Sequence, residues 1–510
     1  MKKIFLLFTI SFYAVLLPAQ SVDLQKAKNL WLTRNIYSEI PIGQDGQNNY
    51  LAVMSRVTGL GSPKVYTDRI YTIDKESMEV SENSIEVSNR HNMLEAINRD
   101  DKFIALYRSD NKKGDVITLS IATIDKSEKS HKLTDENSVS TFANPNFWPE
   151  YETAKSPDGT KIAVLVTVTG KKNMLENIFA AVVNEDGEFL WSKQVMPDFG
   201  GRNFSIGKIA LDNNGTLYIP YYTCDINGDK VSNVKFQFAI ASDADVETEI
   251  LDAKFGKPQG FMAKVLKNGN VAVAGYYTDT YKNTMNQSNG YFMFQYEPKN
   301  RSFSDLIAND FSSNYAQKKQ PALLSNVLAN QQYSINPSDI LELDNNSLVL
   351  CGEHRFVKEI RNLQDNSTTY QLLTKNILAS TFLPDGTSHF SMIQKQQQTV
   401  SGFIPKEWRN TCISYTAFAN NNDVYFVFNE DKNNIPYPGK GVVCGITGLS
   451  FNKPGECVLM KLTPDQTISQ EVLPDSKGQL MRAVDFAGNG DFFVSGITKD
   501  AITISKYSVK

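Results

Sequence analysis

The densest group of ionisable side chains in the sequence is Glu353-His354-Arg355, which follows the apolar run Leu348 to Cys351. A histidine beside a carboxylate is suited to proton transfer, because imidazole titrates close to neutral pH. Three adjacent polar residues are more commonly a solvated loop. Glycosidic-bond cleavage needs two carboxylates that converge from separate parts of a chain. Asp225, Glu353 and Glu430 stand at the ends of apolar runs and are the candidates for such a pair. Asp225, Asn227 and Asp229 also space oxygens as a calcium loop does, but Lys230 and Phe236 stand where glycine and glutamate are required. The four histidines, His91, His131, His354 and His389, place no three at metal-ligand spacing. No HExxH, G-x-S-x-G or phosphate-cradling glycine loop occurs. These patterns assign no catalytic residue, no metal and no cofactor.

A second chemistry is molecular recognition. Trp148, Tyr276, Tyr277, Tyr281, His354, Arg355, Phe356, Trp408 and Tyr437 lie at or near long connections. Tyr, Trp and Arg are enriched where binding energy is concentrated. The competing role for each is to pin its own loop to the scaffold.

The elements that must carry these residues repeat. An alternating strand, a tight Asn/Asp/Gly turn and a strongly apolar strand recur at Gly207–Tyr222, Ala263–Tyr277, Asp339–His354, Tyr415–Glu430 and Arg482–Ile497. Weaker copies start at Thr153, Glu95 and Gln47. Asn and Gly accept the positive φ that short hairpin turns demand. The second strand is apolar on both faces, as a strand covered on both sides must be. A second hairpin follows most copies, as in Asn177–Lys193 and Asn376–Met392. The unit is therefore four antiparallel strands, a to d, and the b strands are expected to begin near 50, 103, 162, 217, 271, 348, 424 and 492. This spacing predicts an all-β, eight-bladed β-propeller, with seven blades as the alternative if the first unit is incomplete. The last unit has a c strand in Ala501–Lys510 and no d strand. The segment Lys28–Asn35 reads as an unpaired strand, so the two terminal segments are expected to pair and close the ring.

Two short stretches resemble known propeller repeats. Ala181–Trp191, AVVNEDGEFLW, is similar to the outer hairpin of PQQ-type repeats, and Ser156–Val164, SPDGTKIAV, resembles TolB-type repeats. Each occurs once, so the resemblance implies the propeller fold and neither family's function, and no PQQ cofactor.

In such a unit the a–b and c–d turns share one face, and the b–c and d–a connections share the other. All long insertions are assigned to the second face: 142–150, 278–289, 308–337, 353–370, 399–410 and 429–455. Long loops on a rigid scaffold are where binding sites concentrate. Residues 1–19 have the charged start, apolar run and small-residue end of a secretory signal, too short for a spanning helix, with no cysteine for a lipid anchor. Residues 20–510 then form a single domain, exported to the periplasm or the medium, with no membrane span. The 52 basic and 56 acidic residues give a net charge of −4, which excludes a nucleic-acid footprint. Of the five cysteines, Cys444 and Cys457 bracket a loop that a disulfide could close; Cys351 reads as a buried apolar residue, and Cys224 and Cys412 are unassigned. The expected function is non-enzymatic binding of a protein partner in the cell envelope, as a scaffold or accessory subunit of an outer-membrane transport or secretion assembly. A glycan-active lyase or hydrolase, or a carbohydrate-binding module, is the alternative.

Overall fold

The computed structural model describes residues 23–509 apart from 27–29, 32–35, 56–64, 89, 111–115, 135–136, 143–148, 170–174, 196–202, 228–229, 252–255, 279–287, 312–333, 362–367, 396–397, 403–413, 432–434, 436–454, 477–479, 489 and 498–500. The signal-like start lies outside the described residues. Within them the chain forms eight separate sheets of four or five strands. The third sheet shows the plan: Pro149–Lys155, Ile162–Thr169, Leu175–Val183 and Phe189–Gln194 pair in chain order, all antiparallel. The eight b strands begin at Asn48, Lys102, Ile162, Leu217, Val271, Leu348, Asp423 and Asp491, each within two residues of its expected start.

The turn chemistry works as anticipated. In Asp212-Asn213-Asn214-Gly215, the Asp212 carboxylate accepts the N–H groups of Asn214 and Thr216 at 2.9 and 2.8 Å, and Gly215 takes φ +86°. A side chain at that φ would be strained.

The b strands are buried on both faces because each sheet packs between two others. Val271–Thr278 is buried along its whole length. Leu106 and Val164 join the second sheet to the third, Leu165 and Leu217 the third to the fourth, and Phe238 and Phe292 the fourth to the fifth. Tyr291 and Phe382 join the fifth to the sixth, and Cys351 and Phe426 the sixth to the seventh. Tyr425 and Phe492 join the seventh to the eighth, Tyr50 and Phe103 the first to the second, and Leu51 and Ile504 the first to the eighth. Face-to-face packing of successive small twisted sheets is the architecture of a β-propeller. In the eighth sheet the outer strand is not local. Asp23–Lys26 and Leu30–Trp31 both pair antiparallel with Ala501–Ser508.

The innermost strands come close to one another. Lys208 in the fourth sheet bonds to the backbone of Phe261 and Ala263 in the fifth, at 3.1 and 2.9 Å. A Cβ on Gly207 would meet the Phe261 ring and carbonyl, so glycine is needed there. Lys155, at the a–b turn end of its strand, pairs with Glu95 at 3.1 Å and donates to the carbonyls of Pro41 and Ile42.

Three expectations need correction. Residues 353–370 are largely not a loop: Leu348–Arg361 and Thr368–Phe382 continue as one long hairpin, and Gln398–Gly402 adds a third strand to its projecting part. Not every insertion falls on the b–c and d–a face. The c–d connection of the second sheet carries Ser130–Lys132, which pairs in parallel with the outer strand of the first sheet, Val80–Ser88. Cys457 is a free buried thiol, pushed up by burial, where the sequence allowed a disulfide to Cys444; Cys444 lies outside the described residues, as does Cys412. Cys224 and Cys351 are free and buried. No helix among the described residues is long and apolar enough to cross a membrane.

Candidate functional site

The projecting hairpin of the sixth sheet rises on the face that carries the b–c and d–a connections. At its base the register shifts between Glu353 and Arg355 on one strand. This bulge separates the regular blade from the extension, and such irregularities re-aim side chains. Glu353 is turned inward and is 1% exposed. Its carboxylate faces the Lys395 ammonium at 2.7 Å, and Lys395 is itself fully buried. The Ser414 hydroxyl donates to Glu353 Oε2 at 2.8 Å, and Arg355 approaches the same oxygen at 3.4 Å. Lys395 donates further to Thr374 Oγ1 and Gln398 Oε1, at 3.1 and 2.9 Å.

These contacts join three sheets. Gln398 accepts the Ser414 N–H at 2.9 Å and donates to the Asn429 carbonyl of the seventh sheet at 2.6 Å. The Asn429 amide in turn exchanges two hydrogen bonds of 3.1 Å with the backbone of Met481 in the eighth. Ser414 is held at φ +100°, a conformation that non-glycine residues avoid and that persists only where surroundings impose it.

Burial pushes the Lys395 ammonium down, opposed by the negative charges of Glu353 and Glu430 and reinforced by Arg355. Glu430 is 1% exposed, and its Oε1 accepts the Asp431 N–H. Two carboxylates and one ammonium are thus buried near one another, with the half-buried Arg355 guanidinium at their edge. An ion pair removed from water is stable only when its remaining hydrogen bonds are also made, and here Lys395 has three acceptors.

The structure distributes the expected binding residues differently from the sequence reading. Tyr276 and Tyr277 are interior: alternation along a strand covered on both faces sends Tyr276 toward the sixth sheet and Tyr277 toward the fourth. His354 lies beside Glu353 on the same strand and is 2% exposed. Burial, aided by the positive charge of Lys375, pushes its imidazole down to about 3, so it is neutral at physiological pH and unsuited to proton transfer there. Arg355 and Phe356 are half-buried at the base of the projecting hairpin, and Val357 beyond them is an exposed apolar side chain. Trp148, Tyr281, Trp408 and Tyr437 lie outside the described residues. Asp225 accepts from Asn233 within its own hairpin at 2.6 Å, far in the chain from Glu353 and Glu430.

No protein-family model matches the chain, and no curated protein matches it in sequence. Several solved structures are similar in chain path. A polysaccharide lyase is 11% identical with a TM-score of 0.42, covering 94% of this chain and 92% of its own. The propeller domain of the trilobed protease from Pyrococcus furiosus is 10% identical with a TM-score of 0.38, covering 88% and 98%. The WD40 domain of SCAP from fission yeast is 6% identical with a TM-score of 0.35, covering 96% and 98%. None of these likenesses bears on chemistry.

Lys395, Gln398, Thr374 and Ser414 were not singled out by the sequence. Lys395 sits in the glutamine-rich tract Gln394–Gln398 that reads as polar linker. The one local signal was Glu353 itself, a carboxylate directly continuing an apolar b strand.

Proposed function

We propose that this chain is an eight-bladed propeller, closed by its amino-terminal strand, that serves as a non-enzymatic binding scaffold of the cell envelope. Its partner is a protein, of an outer-membrane transport or secretion assembly, and the projecting hairpin of the sixth sheet is the centre of the docking face. The observation that carries this reading is the three-stranded extension anchored by the Glu353–Lys395 pair. A rigid element standing off a scaffold, with Val357 exposed on it, suits recognition. The eight sheet-to-sheet cores, including that between the first and eighth sheets, support the closed ring.

A second reading is glycan-active chemistry. Glu353 and Glu430 both lie near Lys395, and this pair of carboxylates favours it. Their burial weighs against it, since a glycosidase carboxylate must reach the sugar. The test is purification from gently solubilised envelope, with a polysaccharide panel assayed in parallel. A stoichiometric membrane-protein partner, lost in Trp148→Ala with Trp408→Ala at unchanged melting temperature, is expected. Partner-free protein that turns over a polysaccharide, and loses that turnover in Glu430→Gln, would establish the enzyme instead.

A further inference from the structure

The outer strands of the eight sheets are unequal. Among the described residues, those of the second to eighth sheets run for six residues or fewer, as in Ser138–Phe142, Phe189–Gln194, Val246–Leu251, Ser388–Ile393 and Ile468–Val472. That of the fifth is broken into Ser302–Phe303 and Ile307–Asp310, and that of the eighth into Asp23–Lys26 and Leu30–Trp31. In the first sheet the outer strand, Val80–Ser88, is nine residues long and pairs throughout with 65–73 without a register shift. A long, regular edge presents a row of main-chain donors and acceptors to which another strand can add. Short or bulged edges are a common protection, and covering the edge is another.

This long edge is the one that the Ser130–Lys132 strap covers. Ser130, His131 and Lys132 stand opposite Ser84, Ile85 and Glu86. The Ser84 N–H donates to the Lys129 carbonyl at 3.0 Å, and the Leu133 N–H donates to the Glu86 carbonyl at 3.1 Å. The Asn83 amide donates to the carbonyls of Lys126 and Glu128, which lead into the strap. Leu133 is buried in the core between the first and second sheets. That core already joins the two sheets through Tyr50, Phe103 and Ala105. What the strap adds is that main-chain groups of Ser84 and Glu86, in the middle of the long edge, are taken.

We propose that 129–133 is an edge guard. By pairing with Val80–Ser88 it denies that strand to the extended chain of any other molecule, and its release opens a strand-adding surface on the first sheet.

The experiment uses the full chain carrying His131→Pro. Leu133 donates toward Val80–Ser88, and His131, two residues earlier, shares that direction. Proline there removes a donor that faces the edge and breaks the ladder. Hydrogen exchange at the Ser84 amide reports release of the strap; if it stays as slow as in the parent, Leu133→Ala is added to free it. The probe for an incoming strand is the protein itself, over a range of concentrations. The released variant is expected to gain mass with concentration in sedimentation, to about twice that of the parent or more. Adding Ser84→Pro to the released variant should return it to the parent's mass. The Ser84 N–H points at the strap and not at Val65–Asp74, so this proline costs no bond within the four-strand sheet. Two results overturn the proposal. A released variant that keeps the parent's mass at every concentration shows that the strap only ties two sheets together. Association that survives Ser84→Pro arises elsewhere on the molecule and not at this edge.

Discussion

The third and sixth sheets are built on the same four-strand plan and spend their interiors differently. In the third, Ile162 to Val166 and Ile178 to Val183 are buried apolar side chains, and Trp191 closes the interface by donating to the Gly215 carbonyl at 3.0 Å. In the sixth, the same b and c strands run past the blade into a projecting hairpin, and at the point of exit Glu353, His354, Thr374 and Lys395 are buried. Apolar burial stabilises without regard to direction, whereas a buried ion pair is unforgiving about geometry. The third sheet is what the propeller needs to stand. The sixth buries charge at the point where its extension begins, a feature that the four-strand plan itself does not require.

That contrast breaks most readily at the ion pair. Glu353→Gln or Lys395→Met alone leaves a buried charge without its partner and should cost about 3–5 kcal/mol in denaturant unfolding. Replacing both by Met should cost less than either single change. If each single variant loses under about 1 kcal/mol, the pair is solvated and behaves like a surface bridge. In the third sheet, Leu165→Ala should cost about 2–5 kcal/mol through transfer and cavity effects, and truncating its cluster neighbour as well, Leu217→Ala, should add to that cost and not restore it. Restoration in one sheet and not the other is the sharper form of the comparison.

The next effect is in pH. His354 has an ordinary value of 6.5 and is held at about 3 in the folded protein. The unfolded chain therefore binds the proton first as pH falls below 6.5. Stability that is intact above 6.5 is lost on acidification toward 3, at about 1.4 kcal/mol per pH unit for one proton. His354→Gln should flatten that part of the stability profile, while the third sheet, with no buried histidine on its strands among the described residues, contributes no such slope. An unchanged slope in the variant would show that His354 is solvated. The smallest effect belongs to Val357→Thr on the exposed hairpin, which should shift stability by no more than about 0.5 kcal/mol while reducing partner capture.

The comparison also shows where sequence reading works. The b strands were legible because burial on both faces leaves an unbroken apolar run, as in Val271–Ala274, and because Asp212–Gly215 and its counterparts announce the turns. The pairing of the two terminal segments was legible in part: the spare strand was expected at Lys28–Asn35, of which Leu30–Trp31 pairs with the last strand, and Asp23–Lys26, which also pairs there, was not anticipated. The same double burial misled the reading of Tyr276 and Tyr277: aromatic residues late in a b strand look like loop anchors until the covering sheets are known. The hairpin extension was illegible because Glu353–Tyr370 has no regular apolar alternation, whereas the structure shows it as strand through its backbone pairing. The ion pair was illegible for a different reason. Glu353 lies on a b strand, Lys395 and Ser414 lie on either side of Gln398–Gly402 in the stretch between Ser388–Ile393 and Tyr415–Asn420, and nothing near Lys395 distinguishes it from a solvated lysine. The strap at Ser130–Lys132 is too short to register as a strand.

The most direct measurement is partner capture from gently solubilised envelope by a variant in which Val357–Leu372 is replaced by an Asn-Gly turn. Glu353, Arg355, Thr374 and Lys395 are retained. The account predicts a folded protein, with a melting temperature close to that of the parent, that no longer retains its partner. Full capture by that variant, with the extension gone, would contradict it.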